Sequence, residues 1–157
     1  MHPNVARVSA AAAELGLELA HAEFPDGTRT AEDAARAIGV EVGQIVKSLV
    51  FLLDGAPVMA LVSGSNRLDE ARLATALGGT TVARADAAVV REATGYAIGG
   101  VPPFGHPAPL AVACDEDLLA YDEVWAAAGT PRDVFPIRPP DLVRVAAAVV
   151  APLRAEA

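Results

Sequence analysis

The stretch Ile45–Val62, IVKSLVFLLDGAPVMALV, decides the fold. Two apolar runs flank Asp54-Gly55, a dipeptide that supplies the positive φ angles of a two-residue turn, so the segment is read as a β-hairpin. Along its first strand, Lys47 shares a face with Leu49, Phe51 and Leu53, and Val46, Ser48, Val50 and Leu52 occupy the other. Both faces are largely apolar, as in a central strand covered on both sides. Lys47 is the only lysine: of 12 basic residues, the other 11 are arginine. A lysine in such a strand must reach water, find an anion or lose its proton. It is either a strand-end side chain snorkelling to solvent or an ammonium at the floor of a cleft, aimed at a phosphate or a developing oxyanion.

Working outward, Val5, Val8, Ala12 and Leu15 have helical spacing, with Gly16 as a stop. A short strand is expected near Leu17 to Phe24, and PDGTRT (25–30) is a turn or loop. Thr30 and Asp33 resemble a capping box for a helix ending at Gly39. Asp69 can cap a helix through Leu77, stopped by Gly78-Gly79. A strand near Thr80 to Ala83 and a helix from Asp86 to Thr94 follow. GYAIGGVPPFGHPAP is too rich in glycine and proline to be either element. Strands are expected at Leu110 to Cys114, Val124 to Ala127 and Val134 to Ile137, and Asp141 can cap a C-terminal helix. Short strands, one clear hairpin and interspersed helices predict an α+β fold with a mixed sheet. A dinucleotide-binding reading is poor, because no Gly-rich phosphate loop opens a helix after the first strand.

The chain has 157 residues, 53% hydrophobic and 20% charged, so it is expected to fold as one domain with a substantial core. Its net charge of −8 disfavours a broad nucleic-acid surface while leaving room for a local contact to a strand end. No basic recognition helix for DNA is visible. The single cysteine, Cys114, cannot form an internal disulfide and suits a reducing cytoplasm, where it is read as structural. The N-terminal stretch lacks the features of a signal peptide, and no apolar run reaches membrane-spanning length. Three histidines at 2, 21 and 106 lack zinc-like spacing, so no metal or other cofactor is expected.

Gly95 to His106, GYAIGGVPPFGH, packs four glycines and two prolines into twelve residues. It is either an ordinary turn or a loop that presents fixed backbone donors and acceptors to a ligand. His106 ends it, but no nucleophile–histidine–acid set can be assembled. In SGSNRLDEARL (63–73), Ser63, Ser65 and Asn66 either line a site or belong to a helix-entry loop capped by Asp69. Thr30 is a cap, and Arg29 beside it can hold a phosphate. Asp133, in a loop before a strand, either pairs with an arginine or binds an amino group.

In this order the pieces GQIVKSLVF, TGYAIGGVPPFGH and AGTPRDVFPIRPPDL, with TRTAEDAARAIGV and SGSNRLDEARLATALGG, resemble the YbaK/prolyl-tRNA-synthetase-associated editing-domain family over nearly the whole chain. The resemblance implies an α+β fold with a mixed, partly barrel-like β-sheet flanked by helices. It also implies hydrolysis, in trans, of the ester of mischarged aminoacyl-tRNA, often tRNA for proline. Lys47 matches the family's key lysine. Gly99, Gly100, Val101, Pro102 and Pro103 match its GxxxP loop facing the aminoacyl group, and Asp133 matches an acidic residue near the pocket. Partners implied are the acceptor end of aminoacyl-tRNA and a prolyl-tRNA synthetase, with no membrane and no DNA. Where cysteine-specific members carry a hydroxyl and small glycines, this chain reads AAAGT (126–130). GGVPPFGH looks more like members acting on other small residues, such as alanine, 2-aminobutyrate, serine or threonine. The rival reading is a non-catalytic module that binds an aminoacyl-nucleotide or docks on a synthetase.

Overall fold

The computed structural model of the chain describes residues 1–27 and 30–156. Thr28 and the candidate phosphate contact Arg29 lie outside the described residues, as does Ala157. The predicted hairpin is the centre of the molecule. Strands β2 (Val46–Leu53) and β3 (Ala56–Ser63) pair antiparallel from Val46↔Ser63 to Leu53↔Ala56. Asp54 and Gly55 take φ of 51° and 86°, the doubly positive turn that matches strand twist. The Asp54 carboxylate accepts from the amides of Thr80 and Thr81 at 3.0 and 2.8 Å, tying the turn to the next strand.

The remaining elements are α1 (Pro3–Glu14), β1 (Ala22–Glu23), α2 (Ala31–Ile38), α3 (Glu70–Leu77), β4 (Val82–Arg84), α4 (Ala87–Thr94), β5 (Ala111–Asp115), β6 (Val124–Ala127), β7 (Asp133–Ile137), α5 (Pro139–Ala146) and β8 (Val149–Ala151). A five-stranded sheet runs β4-β2-β3-β5-β8, and a three-stranded sheet runs β1-β7-β6. The first is mixed, since β3–β5 and β5–β8 are parallel. The two sheets meet at a bridge between Ile45 and Trp125 and do not close into a barrel.

The hairpin divides the core as strand alternation requires. Val46, Val50, Met59 and Leu61 face a cluster that includes Val101, Phe104, Ala126 and Phe135. Leu53, Val58, Ala60 and Val62 face a second one with Leu73 and Ala74 of α3. Met59, Ala60, Leu61 and Val62 are fully buried; burying each of the larger side chains contributes ~1.5–3 kcal/mol.

Four expectations change. The first strand shrinks to Ala22–Glu23, paired with β7. Asp141 does not cap α5: the helix starts three residues earlier than such a cap implies, with Arg138 at the cap and prolines in its first turn, where fixed φ suits entry. Asp141 instead pairs with Arg144 at 3.6 Å. Asp133 heads β7 rather than lying before it. β8 was not anticipated; it follows α5 through Ala147, whose φ of 50° ends the helix without a glycine.

Candidate functional site

β2 is paired unevenly on its second edge. β4 covers Phe51 to Leu53, and the Trp125 bridge reaches only Ile45. The two-residue turn makes Leu53–Ala56 a hydrogen-bonded pair, so odd-numbered residues of β2 direct their backbone groups to β3 and even-numbered ones outward. The edge around Ser48 is therefore left between β4 and β6. A cavity of about 670 Å³ opens along it, lined by β2, the start of α2, the loop at Ile98, Gly99 and Val101, and Trp125, Ala126 and Ala127 of β6.

Lys47 lines this cavity together with Gly99 and Val101. Its side chain is half-buried, and its Nζ donates to the carbonyl of Asn66 at 2.5 Å. Burial lowers the ammonium pKa below its ordinary value, against the raising effect of the Glu32 and Asp115 carboxylates.

The carbonyl that receives Lys47 is firmly held. Asn66 Nδ2 donates to Asp115 at 2.9 Å and to Asp117 at 2.8 Å. Asp115, with no solvent exposure, also accepts from the amides of Ser63 and Asp117 at 3.1 and 3.0 Å. The C-terminal segment fastens the same loop: Ala155 N donates to Arg67 O and Asp69 N to Leu153 O, each at 2.8 Å. Ser63 and Asn66 are buried in this network rather than among the cavity-lining residues; Ser63 Oγ donates to Gly43 O at 2.7 Å. Of the two readings for this segment, the loop-building one describes their side chains.

The Gly/Pro loop splits between two places. Gly99 and Val101 line the main cavity, whereas Gly100 and Pro102 line neither it nor the second cavity. A Cβ on Gly100 would meet Thr130 Cα at 2.9 Å and Gly129 C at 3.0 Å, so only glycine lets the two loops touch. Pro103 and His106 line a second cavity of about 560 Å³ behind the loop, with Leu15, Phe104 and Val145. His106 Nε2 lies 2.8 Å from the Pro102 carbonyl. A carbonyl only accepts, so this nitrogen carries the proton; burial lowers the imidazole pKa, favouring the neutral ring that braces the loop from outside the main cavity.

Among the described residues Asp133 pairs with no arginine, and it does not line the main cavity. It accepts from Thr130 Oγ1 at 2.5 Å and faces His21 at 3.6 Å, which locks the 130–133 turn against the Gly/Pro loop. Thr30 does line the cavity, and its hydroxyl caps α2 by accepting from Asp33 N at 3.0 Å.

The polar lining residues that sequence reading did not single out include Ser48, Arg67, Glu70, Arg84 and Trp125. Arg67 and Arg84 line the cavity and make no ion pair among the described residues. Ser48 and Trp125 also line it. Ser48 lies on the uncovered edge of β2, and Arg67, Arg84 and Trp125 come to it from the loop before α3, from β4 and from β6; such long-range placement is not written in strand periodicity. Among the described residues the arrangement offers one ammonium with N–H groups to spare, two guanidinium groups without an ion pair, the Glu70 carboxylate and a glycine loop facing a small-residue wall.

A model of the aminoacyl-tRNA editing domain matches residues 25–145. A crystal structure described as that of a candidate trans-editing enzyme for prolyl tRNA synthetase superposes with a TM-score of 0.93 at 48% identity, covering 99% of each chain. A proline–tRNA ligase from Maridesulfovibrio salexigens is 33% identical over 129 residues, 78% of this chain and 22% of the ligase. The chain thus spans about a fifth of the length of that ligase. The protein YwhH of Bacillus subtilis is 31% identical over 120 residues, 76% of each chain.

Proposed function

The chain belongs to the aminoacyl-tRNA editing-domain family, and from that premise we propose that it is a trans-acting deacylase. Its substrate would be mischarged tRNA, most simply tRNA for proline bearing a small non-proline amino acid. The observation that carries this reading is the shared cavity of Lys47 with Gly99 and Val101. One N–H of the ammonium is bound to Asn66 O; the other two make no hydrogen bond among the described residues and can serve the terminal phosphate or the ester carbonyl.

In the reaction, water attacks the ester carbonyl carbon and forms a tetrahedral oxyanion. The bond to the terminal ribose oxygen then breaks, and that oxygen takes up the proton the water gives away. Free amino acid and tRNA result. An aminoacyl ester is already activated, so orientation and electrostatic support can suffice without a triad. Lys47 and loop amides supply that support. The Gly100 amide is occupied by Ala97 O at 3.0 Å, whereas those of Gly99 and Val101 make no hydrogen bond among the described residues.

Arg67 and Arg84 reconcile the substrate with a net charge of −8: they put unpaired positive charge at the cavity, where an acceptor end would enter, rather than across a broad face. A prolyl-tRNA synthetase as partner would add tRNA affinity, and action on aminoacyl-tRNA places the protein in the cytoplasm. No helix among the described residues is long and apolar enough to cross a membrane. The test is a deacylation panel of mischarged tRNAs. Release of a small amino acid by wild type and its loss in Lys47→Ala is the expected result; binding without turnover across the panel would assign a non-catalytic module instead.

A further inference from the structure

Ser48 sits in the gap that β4 and β6 leave along β2. It stands opposite Leu61 of β3 in a pair that exchanges no hydrogen bond, so its main-chain N–H and C=O point away from β3. β4 reaches no further along the strand than Phe51, and β6 touches the chain only at Ile45. Neither main-chain group of Ser48 therefore has a hydrogen-bond partner among the described residues. Ser48 lines the main cavity. The residue is partly exposed while its hydroxyl is buried, so the surface it gives to the cavity is main chain and Cβ, not Oγ. Strand edges are normally paired, blunted or covered; this one is kept open inside a cavity.

The free N–H and C=O of one edge residue have a natural partner. In an antiparallel pair they are met by the C=O and N–H of a single opposite residue, both carried on one Cα. An aminoacyl ester is that unit: its α-amine and its acyl carbonyl share one Cα, and only the bond to the ribose oxygen replaces the next peptide bond. The match does not depend on the side chain.

We propose that the Ser48 main chain positions the aminoacyl moiety, which pairs with the edge of β2 as one residue of an added strand: the α-amine donates to Ser48 O, and Ser48 N–H donates to the acyl oxygen. The inference rests on the deacylase reading and names, for that same site, the groups that hold the reacting carbonyl. Opposite residues of an antiparallel pair carry their side chains on the same face. An L-aminoacyl side chain then falls on the Ser48 face with Val46 and Val50, where Val90, Val101 and Ala126 wall the cavity. A D-aminoacyl group making the same two bonds turns its side chain to the Lys47 face instead. When water adds to the acyl carbon, negative charge gathers on the oxygen that Ser48 N–H already holds, so this bond strengthens toward the transition state.

The test measures hydrolysis of tRNA for proline carrying an L-alanyl, D-alanyl or propionyl ester, each rate divided by the spontaneous hydrolysis of the same ester. Wild type is expected to accelerate L-alanyl over propionyl ester, which lacks the α-amine, by about tenfold or more, the factor that one hydrogen bond from a charged donor carries. It is expected to accelerate L-alanyl over D-alanyl ester as well. In a second protein the amide between Lys47 and Ser48 is replaced by an ester, which deletes the Ser48 N–H and no donor that the fold uses. With native circular dichroism, its kcat on L-alanyl ester falls by about 100-fold or more, while the alanyl-to-propionyl ratio stays in place because Ser48 O is retained. Wild-type kcat in that folded variant, a propionyl ester accelerated as much as the L-alanyl ester, or a D-alanyl ester hydrolysed as fast as the L-alanyl one overturns the proposal while the deacylase reading stands. Hydrolysis of none of the three by wild type overturns both.

Discussion

Asp115→Asn separates the electrostatic role of the buried network from its structural one. The native carboxylate has no solvent exposure and accepts from Ser63 N and Asn66 Nδ2 through one oxygen and from Asp117 N through the other. An asparagine amide keeps one acceptor. Oriented to retain the two bonds at the first position, it turns its NH₂ against the Asp117 amide. One bond to a charged acceptor is lost and one donor is stranded, a cost of about 2–4 kcal/mol, read as a lower urea midpoint at pH 7. The second consequence concerns Lys47. Deacylation that needs its ammonium falls as pH rises through the lysine pKa, which burial lowers and the Glu32 and Asp115 carboxylates hold up. Removing the Asp115 charge lowers that pKa further, so the alkaline fall in kcat/KM moves to lower pH than in wild type. The assay is single-turnover release of labelled amino acid over a pH series, with spontaneous ester hydrolysis subtracted. An unmoved alkaline limb in the folded variant refutes the link between Asp115 and Lys47. A stability loss below ~0.5 kcal/mol refutes the hydrogen-bond accounting.

Gly100→Ala forces a methyl against the backbone of Gly129 and Thr130; overpacking of this kind costs about 1–3 kcal/mol, and the displaced loop should cut deacylation by about tenfold or more while circular dichroism stays native. Leu61→Ala, at a fully buried position of β3, should lose about 2–5 kcal/mol with an unchanged denaturant slope. Cys114 is fully buried and its thiol is pushed up to about 12, first by burial and then by Asp115. It should resist a thiol reagent at pH 8 in the native protein and react on unfolding; rapid labelling under native conditions would contradict its placement.

Much of the fold was readable because its signals are local. Asp54-Gly55 announces the hairpin, Thr30 and Asp69 each cap the helix expected of them, and the helix expected from Asp86 is found, with Asp86 as its cap. The first strand was overestimated because Leu17 to His21 has strand-like composition without a neighbouring strand. β8 was hidden because AAAVVA continues the apolar pattern of α5, and its helix stop is an alanine. At the site, Lys47 and the Gly/Pro loop were visible as a charge in an apolar strand and a cluster of backbone-permissive residues. Ser63, Asn66 and Asp133 were visible as polar residues near the right elements. Their roles depend on long-range partners such as Asp115 and His21, which no local spacing encodes. Ser48 looked like one more strand residue until the pairing of β2 left its edge uncovered.

The most direct test of the central claim is release of amino acid from mischarged tRNA for proline by wild type and by Lys47→Ala, with both proteins shown to be folded. The account predicts hydrolysis by wild type and a loss of at least ~100-fold in the variant, the scale of removing one group that stabilises a developing oxyanion. Hydrolysis at the wild-type rate by folded Lys47→Ala would contradict it and move the chemistry away from the edge of β2.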